Sequence, residues 1–263
     1  MDLTIMQITK KGIDLNINLK KEYRQHYDFW TLYYDKWEEA TFNIFDRFLD
    51  ENYNYLDIGS WIGPTVIVGA HKSNHVYAIE PNKLAFNELV GNISLNPLIK
   101  TKVTCINAAL SPKSQSIKLY IRTDPSESMS SIVPNKQTGD YYDVKGITFD
   151  QLLIDNDIKN VNFIKMDIEA GEYQVLPTMR DYLEKNKPIL YLSMHPPFIL
   201  DSAELQFRRH NDKFKHLEYL TERLMSSLDF YKYIYDSNGN LIDANEVAKG
   251  KYFQSFVFSN EKW

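Results

Sequence analysis

The chain has 263 residues, 43% of them hydrophobic and 25% charged, with a formal net charge of −5. That length fits one large domain, or one domain with a small accessory piece, and it buries most of its apolar surface without staples. The acidic balance argues against a nucleic-acid surface, the single cysteine, Cys105, excludes an intrachain disulfide or a cysteine zinc cluster, and no run approaches the roughly 18–20 apolar residues that span a bilayer.

Met1 to Lys11 holds no apolar run long enough for a signal peptide, so the expectation is a cytoplasmic protein without membrane insertion. Leu3-Thr4-Ile5-Met6 and Ile13-Asp14-Leu15-Asn16-Ile17 alternate, which predicts a β-hairpin around Lys10-Lys11-Gly12. Asp28 to Leu49 carries Phe29, Leu32, Trp37, Phe42, Phe45 and Phe48 at helical spacing and reads as one or two amphipathic helices. Residues 1–50 are therefore expected to form a hairpin and helical cap, and residues 51–263 the main domain. From Tyr55 onward short apolar runs alternate with helical segments. Strands are predicted at Tyr55–Ile58, His75–Glu80, Val103–Leu110, Ser116–Ile121, Val161–Ile168 and Pro188–Met194. Helices are predicted from Thr65, over Asn82–Asn92 and Thr148–Asp155, over Glu172–Glu184 as one helix, and over Leu205–Asp229. Two last strands, Tyr231–Tyr235 and Tyr252–Phe258, flank the turn-rich Asp236–Asn240. This alternation predicts an α/β fold with a doubly wound, mostly parallel sheet and an antiparallel edge strand.

In such a sheet the ligand sits beyond the carboxyl ends of the strands. Asp57-Ile58-Gly59-Ser60-Trp61-Ile62-Gly63 joins the first core strand to its helix, and Glu80 ends the next strand about twenty residues on. An acid there can accept both ribose hydroxyls of a nucleoside. A dinucleotide loop starting at Gly59 would need glycines two and five residues further on, where this chain has Trp61 and Pro64. Trp61 blocks the close approach that a pyrophosphate needs. S-adenosyl-L-methionine (AdoMet) has no phosphate and needs no such opening. Along Phe163-Ile164-Lys165-Met166-Asp167, alternation puts Lys165 and Asp167 on one face, which is costly unless they are paired. Asp167 and Glu169 lie where this strand opens into the cleft. Glu172 is read as complementing a helix dipole. His195 ends the neighbouring strand, about 4.8 Å away, close enough to share a site with Asp167. With an ordinary pKa near 6.5 it is a candidate general base. His26, His71, His75, His210 and His216 are assigned to the surface.

These residues carry a resemblance. Trp37–Phe42, Asp57–Thr65, Tyr77-Ala78-Ile79-Glu80-Pro81-Asn82, Asn107-Ala108-Ala109-Leu110-Ser111, Ile147–Asp150, Ile164–Glu169 and His195 are together similar to the FkbM-type methyltransferases, a Rossmann-like AdoMet-dependent branch. The resemblance covers roughly residues 35–200. The family more often has Gly-Ala where this chain has Ala170-Gly171, and many relatives carry Glu where Ser193 stands. The resemblance implies AdoMet as cofactor, held by Asp57, Gly59, Ser60, Trp61, Gly63, Glu80, Pro81, Asn107, Ala108 and Asp167. Asp57, Gly59, Ser60 and Gly63 would shape the methionine side, Glu80 the ribose, and Asn107 and Ala108 the adenine. It also implies methyl transfer to a hydroxyl of a sugar or another natural product, with His195 as base and Asp167 orienting it or positioning the methionine moiety. A nicotinamide-dependent oxidoreductase would have wanted glycine at 61 and 64. A catalytically inactive AdoMet-fold binding partner would have lost Glu80 or Asp167. No metal is assigned, although His195 with Asp167 or Glu169 could ligate a divalent ion.

Overall fold

The computed structural model describes residues 4–124, 128–250 and 252–263, so the first residue of the predicted Leu3–Met6 alternation lies outside the described residues. The hairpin forms as β1 (Thr4–Lys10) and β2 (Ile13–Leu19), with Gly12 in the left-handed region at the turn. Leu15 and Ile17 point inward and are fully buried. The predicted helical stretch breaks into pieces: α1 (Arg24–Asp28), a π-helical turn at Phe29–Tyr33, a 3₁₀ turn at Tyr34–Lys36, then α2 (Glu39–Phe48). The buried ammonium of Lys10 explains part of this break. It donates to the carbonyls of Tyr34, Asp35 and Trp37, which a continuous helix would have used itself, and it pairs with Glu39.

The main domain then runs β3 (Asn54–Ile58), α3 (Pro64–Lys72), β4 (His75–Ile79), α4 (Lys83–Ser94), β5 (Val103–Ile106), β6 (Ala109–Leu110), β7 (Gln115–Tyr120), β8 (Tyr141–Ile147), α5 (Phe149–Asp155) and β9 (Val161–Met166). It continues with α6 (Glu172–Val175), α7 (Arg180–Asn186), β10 (Ile189–Met194), α8 (Pro196–Ala203), α9 (His210–Ser226), β11 (Tyr233–Asp236), α10 (Ala244–Ala248) and β12 (Gln254–Ser259). Seven strands form the central sheet in the order β11-β12-β10-β9-β3-β4-β5. β10, β9, β3, β4 and β5 are parallel, and β12 is antiparallel to both of its neighbours. The antiparallel strand therefore stands one place in from the edge, which β11 occupies. The order reverses between β3 and β9, and that is where an open α/β sheet offers its crevice.

Several elements depart from the pattern reading. Val103–Leu110 is two strands, because the chain leaves the central sheet at Asn107 and re-pairs as β6 in a small sheet with β8 and β7. β8 was not anticipated, and neither was α8, which Pro196 and Pro197 start from its first turn. Glu172–Glu184 is α6 and α7 with a 3₁₀ turn at Leu176–Thr178 between them, the proline at 177 breaking the run. His26 is buried against the Trp61 ring rather than on the surface.

Both sheet faces are covered. Leu56, Ile164, Leu190 and Leu192 pack with α6, α8 and α9 on one side, while Tyr55, Phe163 and Val257 pack with α2, α3 and the hairpin on the other. The hairpin shares this second core through Leu15 and Ile17, and its backbone is tied to α4 by the Asn92 side chain and to the turn after α4 by Asn96. It rests on α3 and α4, and none of its described residues lines either of the two large cavities. No described helix is long and apolar enough to cross a membrane. Because the hairpin shares the main core, Ile17→Ala should lower the stability of the whole chain by about 2–5 kcal/mol. Denaturant unfolding should then show one transition at lower midpoint, and an unchanged main transition would separate the hairpin from the core.

Candidate active site

The loop after β3 is shaped by two glycines. Gly59 has φ 90° and Gly63 φ 94°. A Cβ on Gly59 would stand 1.8 Å from the carbonyl oxygen of Asp167, so only glycine lets the β3 and β9 loops touch. Asp167 N–H donates to the Ile58 carbonyl at 2.9 Å and closes the same junction. Gly63 initiates α3, and its added Cβ would meet Leu89 at 2.8 Å. Asp57 lies behind the loop, fully buried. It accepts from the Tyr55 and Thr65 hydroxyls, both at 2.6 Å, and its backbone carbonyl accepts from Ser60.

Glu80 follows β4 and faces a cavity of about 210 Å³. Its two carboxylate oxygens accept from the backbone N–H groups of Trp61 (2.8 Å) and Asn82 (2.7 Å), which fixes the head group with lone pairs to spare. Burial pushes its carboxyl up to about 7 against those two donors. Gly59, Ser60, Trp61, Glu80, Pro81, Ala108 and Asp167 all line this cavity. Asp57, Gly63 and Asn107 do not. Asn107 works from behind, donating to the Glu80 and Pro81 carbonyls and so holding the strand end.

Beneath the cavity, Lys165 is buried with its ammonium 3.2 Å from Asp167 Oδ2. Burial opposes its charge, yet Asp167, Asp57 and Glu38 more than offset this and hold it above the usual lysine range. Asp167 in turn stays below the usual carboxylate range despite burial, held there by Lys165 and then His195. The pairing that the strand pattern demanded is therefore present. Glu38, in the left-handed region before α2, opens onto the same cleft, and sequence reasoning missed it.

Past β9 the chain makes an unusual turn. Glu169 and Ala170 are consecutive non-glycine residues with positive φ, 55° and 79°. The Ala-Gly order places alanine where the family's more common glycine would be free of strain, while Gly171 has ordinary helical dihedrals. This turn brings the Glu169 carboxylate to 3.3 Å from His195 Nε2, which is also 3.3 Å from Asp167 Oδ1. On the other side of the ring, Glu172 Oε1 accepts from the His195 backbone N–H at 2.9 Å and meets Nδ1 at 3.1 Å. Glu172 is fully buried and is thus a partner of His195 rather than a dipole complement. Burial opposes charge on the imidazole, but Glu172, Glu169 and Asp167 raise it well above its ordinary value. Burial likewise raises Glu169, against the pull of His195.

His195 lines a second, larger pocket of about 660 Å³. Glu38, Asp167 and Glu169 line both cavities and form the wall between them. The second pocket is polar, with Thr41, Ser193, Asn238, Glu246 and Gln254 on its walls, and the Phe253 ring stands edge-to-face with His195. Of the N-terminal cap only Glu38, Ala40 and Thr41 reach it.

Residues 57–234 match the family described as Methyltransferase FkbM domain. The chain belongs to this family. Its cofactor is S-adenosyl-L-methionine, and the family assignment displaces the nicotinamide oxidoreductase reading. Among curated proteins it is similar to Hexuronic acid methyltransferase AglP of Haloferax volcanii, 29% identical over 128 residues, which covers 49% of this chain. The chain spans about half the length of that relative, 50%. Among solved structures it is similar to Methyltransferase FkbM from Methylobacillus flagellatus (17% identity, TM-score 0.44, 80% of this chain and 44% of that one). It is also similar to TYW2 of M. jannaschii in complex with AdoMet (15% identity, TM-score 0.42, 98% and 85%).

Gly59→Ala should cost about 2–5 kcal/mol, the left-handed strain plus a backbone collision. Gly12→Ala, also at positive φ (74°) but with nothing within 4 Å, should cost only about 1–2 kcal/mol. Denaturant midpoints of the two variants measure the difference, and equal losses would show that the Gly59–Asp167 approach is not the constraint.

Proposed function

We propose that this methyltransferase is an O-methyltransferase acting on a hydroxyl of a neutral sugar, with the cofactor in the Glu80 cavity and the acceptor in the His195 pocket. The observation that carries the reading is the shared wall. Asp167 and Glu169 face both cavities, so a hydroxyl entering from the second pocket meets the first beside a set of proton-accepting groups. The fit to the cofactor rests on Glu80, whose fixed carboxylate keeps lone pairs for two ribose hydroxyls, and on a loop in which Trp61 stands where a pyrophosphate would need glycine. Asp57 and Gly63 support that loop from behind, Ser60 and Trp61 form its rim, and Ala108 lines the far end, with Asn107 holding the strand end in place.

When bound, AdoMet supplies the methyl group on a sulfonium. The chain's own work is to hold the acceptor oxygen in line, exclude water and take up the hydroxyl proton. His195 and Asp167 carry the acceptor side, with Glu172 fixing the imidazole by its Nδ1 edge. The surrounding carboxylates favour the charged form of the imidazole, and the proton of the hydroxyl passes into the Asp167–Glu169–His195 cluster as a unit. The polar walls and the Phe253 face suit a sugar's hydroxyls and its apolar ring face. Hexuronic acid methyltransferase AglP supports a sugar acceptor. The pocket's acids (Glu38, Asp167, Glu169, Asp236, Glu246), with no Lys or Arg among the described lining residues, favour a neutral sugar over a free uronate.

Two experiments test the two halves. Calorimetry should give AdoMet binding that tightens as pH rises from about 6 to 8. The sign follows because burial leaves Glu80 half protonated near 7, and only the carboxylate accepts both hydroxyls. Glu80→Ala should lose about 1.5–3 kcal/mol of binding and its pH dependence; an unchanged affinity in a folded variant removes Glu80 from the site.

For the acceptor, AdoMet consumption should be screened against free neutral sugars, uronic acids, nucleotide sugars and lipid-linked glycans. Turnover is expected on a neutral hydroxyl, and His195→Ala should lower it about 10²–10⁴-fold while AdoMet affinity stays near wild type. Normal turnover by His195→Ala would leave the histidine a mere strand cap. Transfer only to nitrogen or carbon acceptors would end the O-methyl reading.

A further inference from the structure

We propose that Asp167, Glu169 and His195 form a binding site for one divalent cation of the manganese class, set in the wall between the two cavities. One donor atom from each side chain lies within 4.8 Å of the others. His195 Nε2 stands 3.3 Å from Asp167 Oδ1 and 3.3 Å from Glu169 Oε2. Those separations exceed the usual 2.7–3.2 Å of an N–H···O bond. They match neighbouring ligands of a single ion: donors about 2.1 Å from one cation stand about 3.0–3.4 Å apart.

The imidazole is prepared for the role. His195 is 8% exposed, and Glu172 engages both its backbone N–H and its Nδ1, which fixes the ring and leaves Nε2 aimed into the gap between the two carboxylates. A buried carboxylate on the far nitrogen is the usual support of a metal-ligating histidine. Asp167 Oδ1 is enclosed and accepts no hydrogen bond, whereas its other oxygen is taken by Lys165. One face of Asp167 is thus satisfied by protein and the other points at the gap. Glu169 reaches the gap only through the positive-φ turn, which Ser131 holds by donating to the Glu169 carbonyl.

One nitrogen and two oxygens on one side of an ion leave positions open toward the second pocket. Two carboxylates with one imidazole suit a transition-metal ion such as Mn²⁺ better than Mg²⁺, which prefers oxygen alone. An acceptor hydroxyl on an open position would release its proton more readily. The site stands on geometry alone; that catalytic use rests on the O-methyl reading above. His195 would then lend Nε2 to the ion rather than take the proton itself, which refines the base role expected of it.

The test is titration of the full, chelator-treated chain with Mn²⁺, followed by the loss of the free-ion signal in electron paramagnetic resonance, with and without AdoMet. Saturable binding of one Mn²⁺ per chain is expected. Glu169→Gln and His195→Ala should each weaken it at least about tenfold, and Glu172→Gln about 10–100-fold. Cooperative unfolding of each variant shows that it is folded. Glu80→Ala should lose AdoMet affinity and keep Mn²⁺ affinity. Wild-type protein that binds AdoMet but shows no saturable Mn²⁺ binding overturns the site and leaves the methyltransferase reading intact. So does Mn²⁺ binding that survives both Glu169→Gln and His195→Ala. Mn²⁺ bound at these residues in a protein that methylates no hydroxyl upholds the site and removes the acceptor reading instead.

Discussion

The site depends on one close approach of backbone to backbone. Where β3 and β9 end side by side, the Gly59 Cα faces the Asp167 carbonyl so closely that a Cβ would sit 1.8 Å from it. The Asp167 amide then bonds to Ile58, and the Gly59 and Ser60 amides bond to the Ile79 carbonyl at the end of β4. Three neighbouring strand ends are clamped together by these few bonds. Glu80 and Asp167, which come from different strands, are thereby brought to the lining of one small cavity. A larger residue at 59 would push the two loops apart and move both acids.

That geometry buries charge, and the charges answer one another. Lys165 is the central cation: it pairs directly with Asp167 and lies in the field of Asp57 and Glu38. Removing one partner from such a set leaves an uncompensated buried charge, which is far more costly than the set is stabilising. The second group, His195 with Asp167, Glu169 and Glu172, is excessively acidic for one imidazole. Asp167 belongs to both groups, so its position is fixed by Lys165 on one side and read by His195 on the other.

Much of this was legible from residue order. The spacing of Gly59, Gly63 and Glu80 pointed to a nucleoside-type loop without a phosphate cradle, and strand alternation put Lys165 and Asp167 on one face. Glu172 was not legible, because an acid at a helix start looks like an ordinary dipole complement; only the placement of β10 beside β9 brings His195 over it. Glu38 escaped for a different reason. It sits where Lys10 draws three carbonyls out of a would-be helix, an interaction across 27 residues that no local pattern records. The split at Asn107 was hidden because the apolar run continues through it, while the side chain turns back to cap Glu80 and Pro81.

The two cavities also differ in where their walls come from. All but three of the residues lining the Glu80 cavity fall within 57–234, the span that matches the family; the exceptions are Phe29, Trp37 and Glu38. The His195 pocket is the reverse. Glu38, Ala40 and Thr41 come from before that span, and Asp236, Asn238, Glu246, Phe253 and Gln254 come from after it. Only Asp167 and Glu169 of the shared wall, with the end of β10, are family territory. The walls that lie outside the matched span take no part in the Gly59–Asp167 clamp. Residue order within the matched span therefore speaks clearly about the methyl donor and only faintly about what receives the methyl group. If the His195 pocket takes the acceptor, as proposed, its specificity lies in α2, in the turn after β11 and in the approach to β12, where the polar and aromatic side chains follow no motif and acquire meaning only once the fold gathers them around His195.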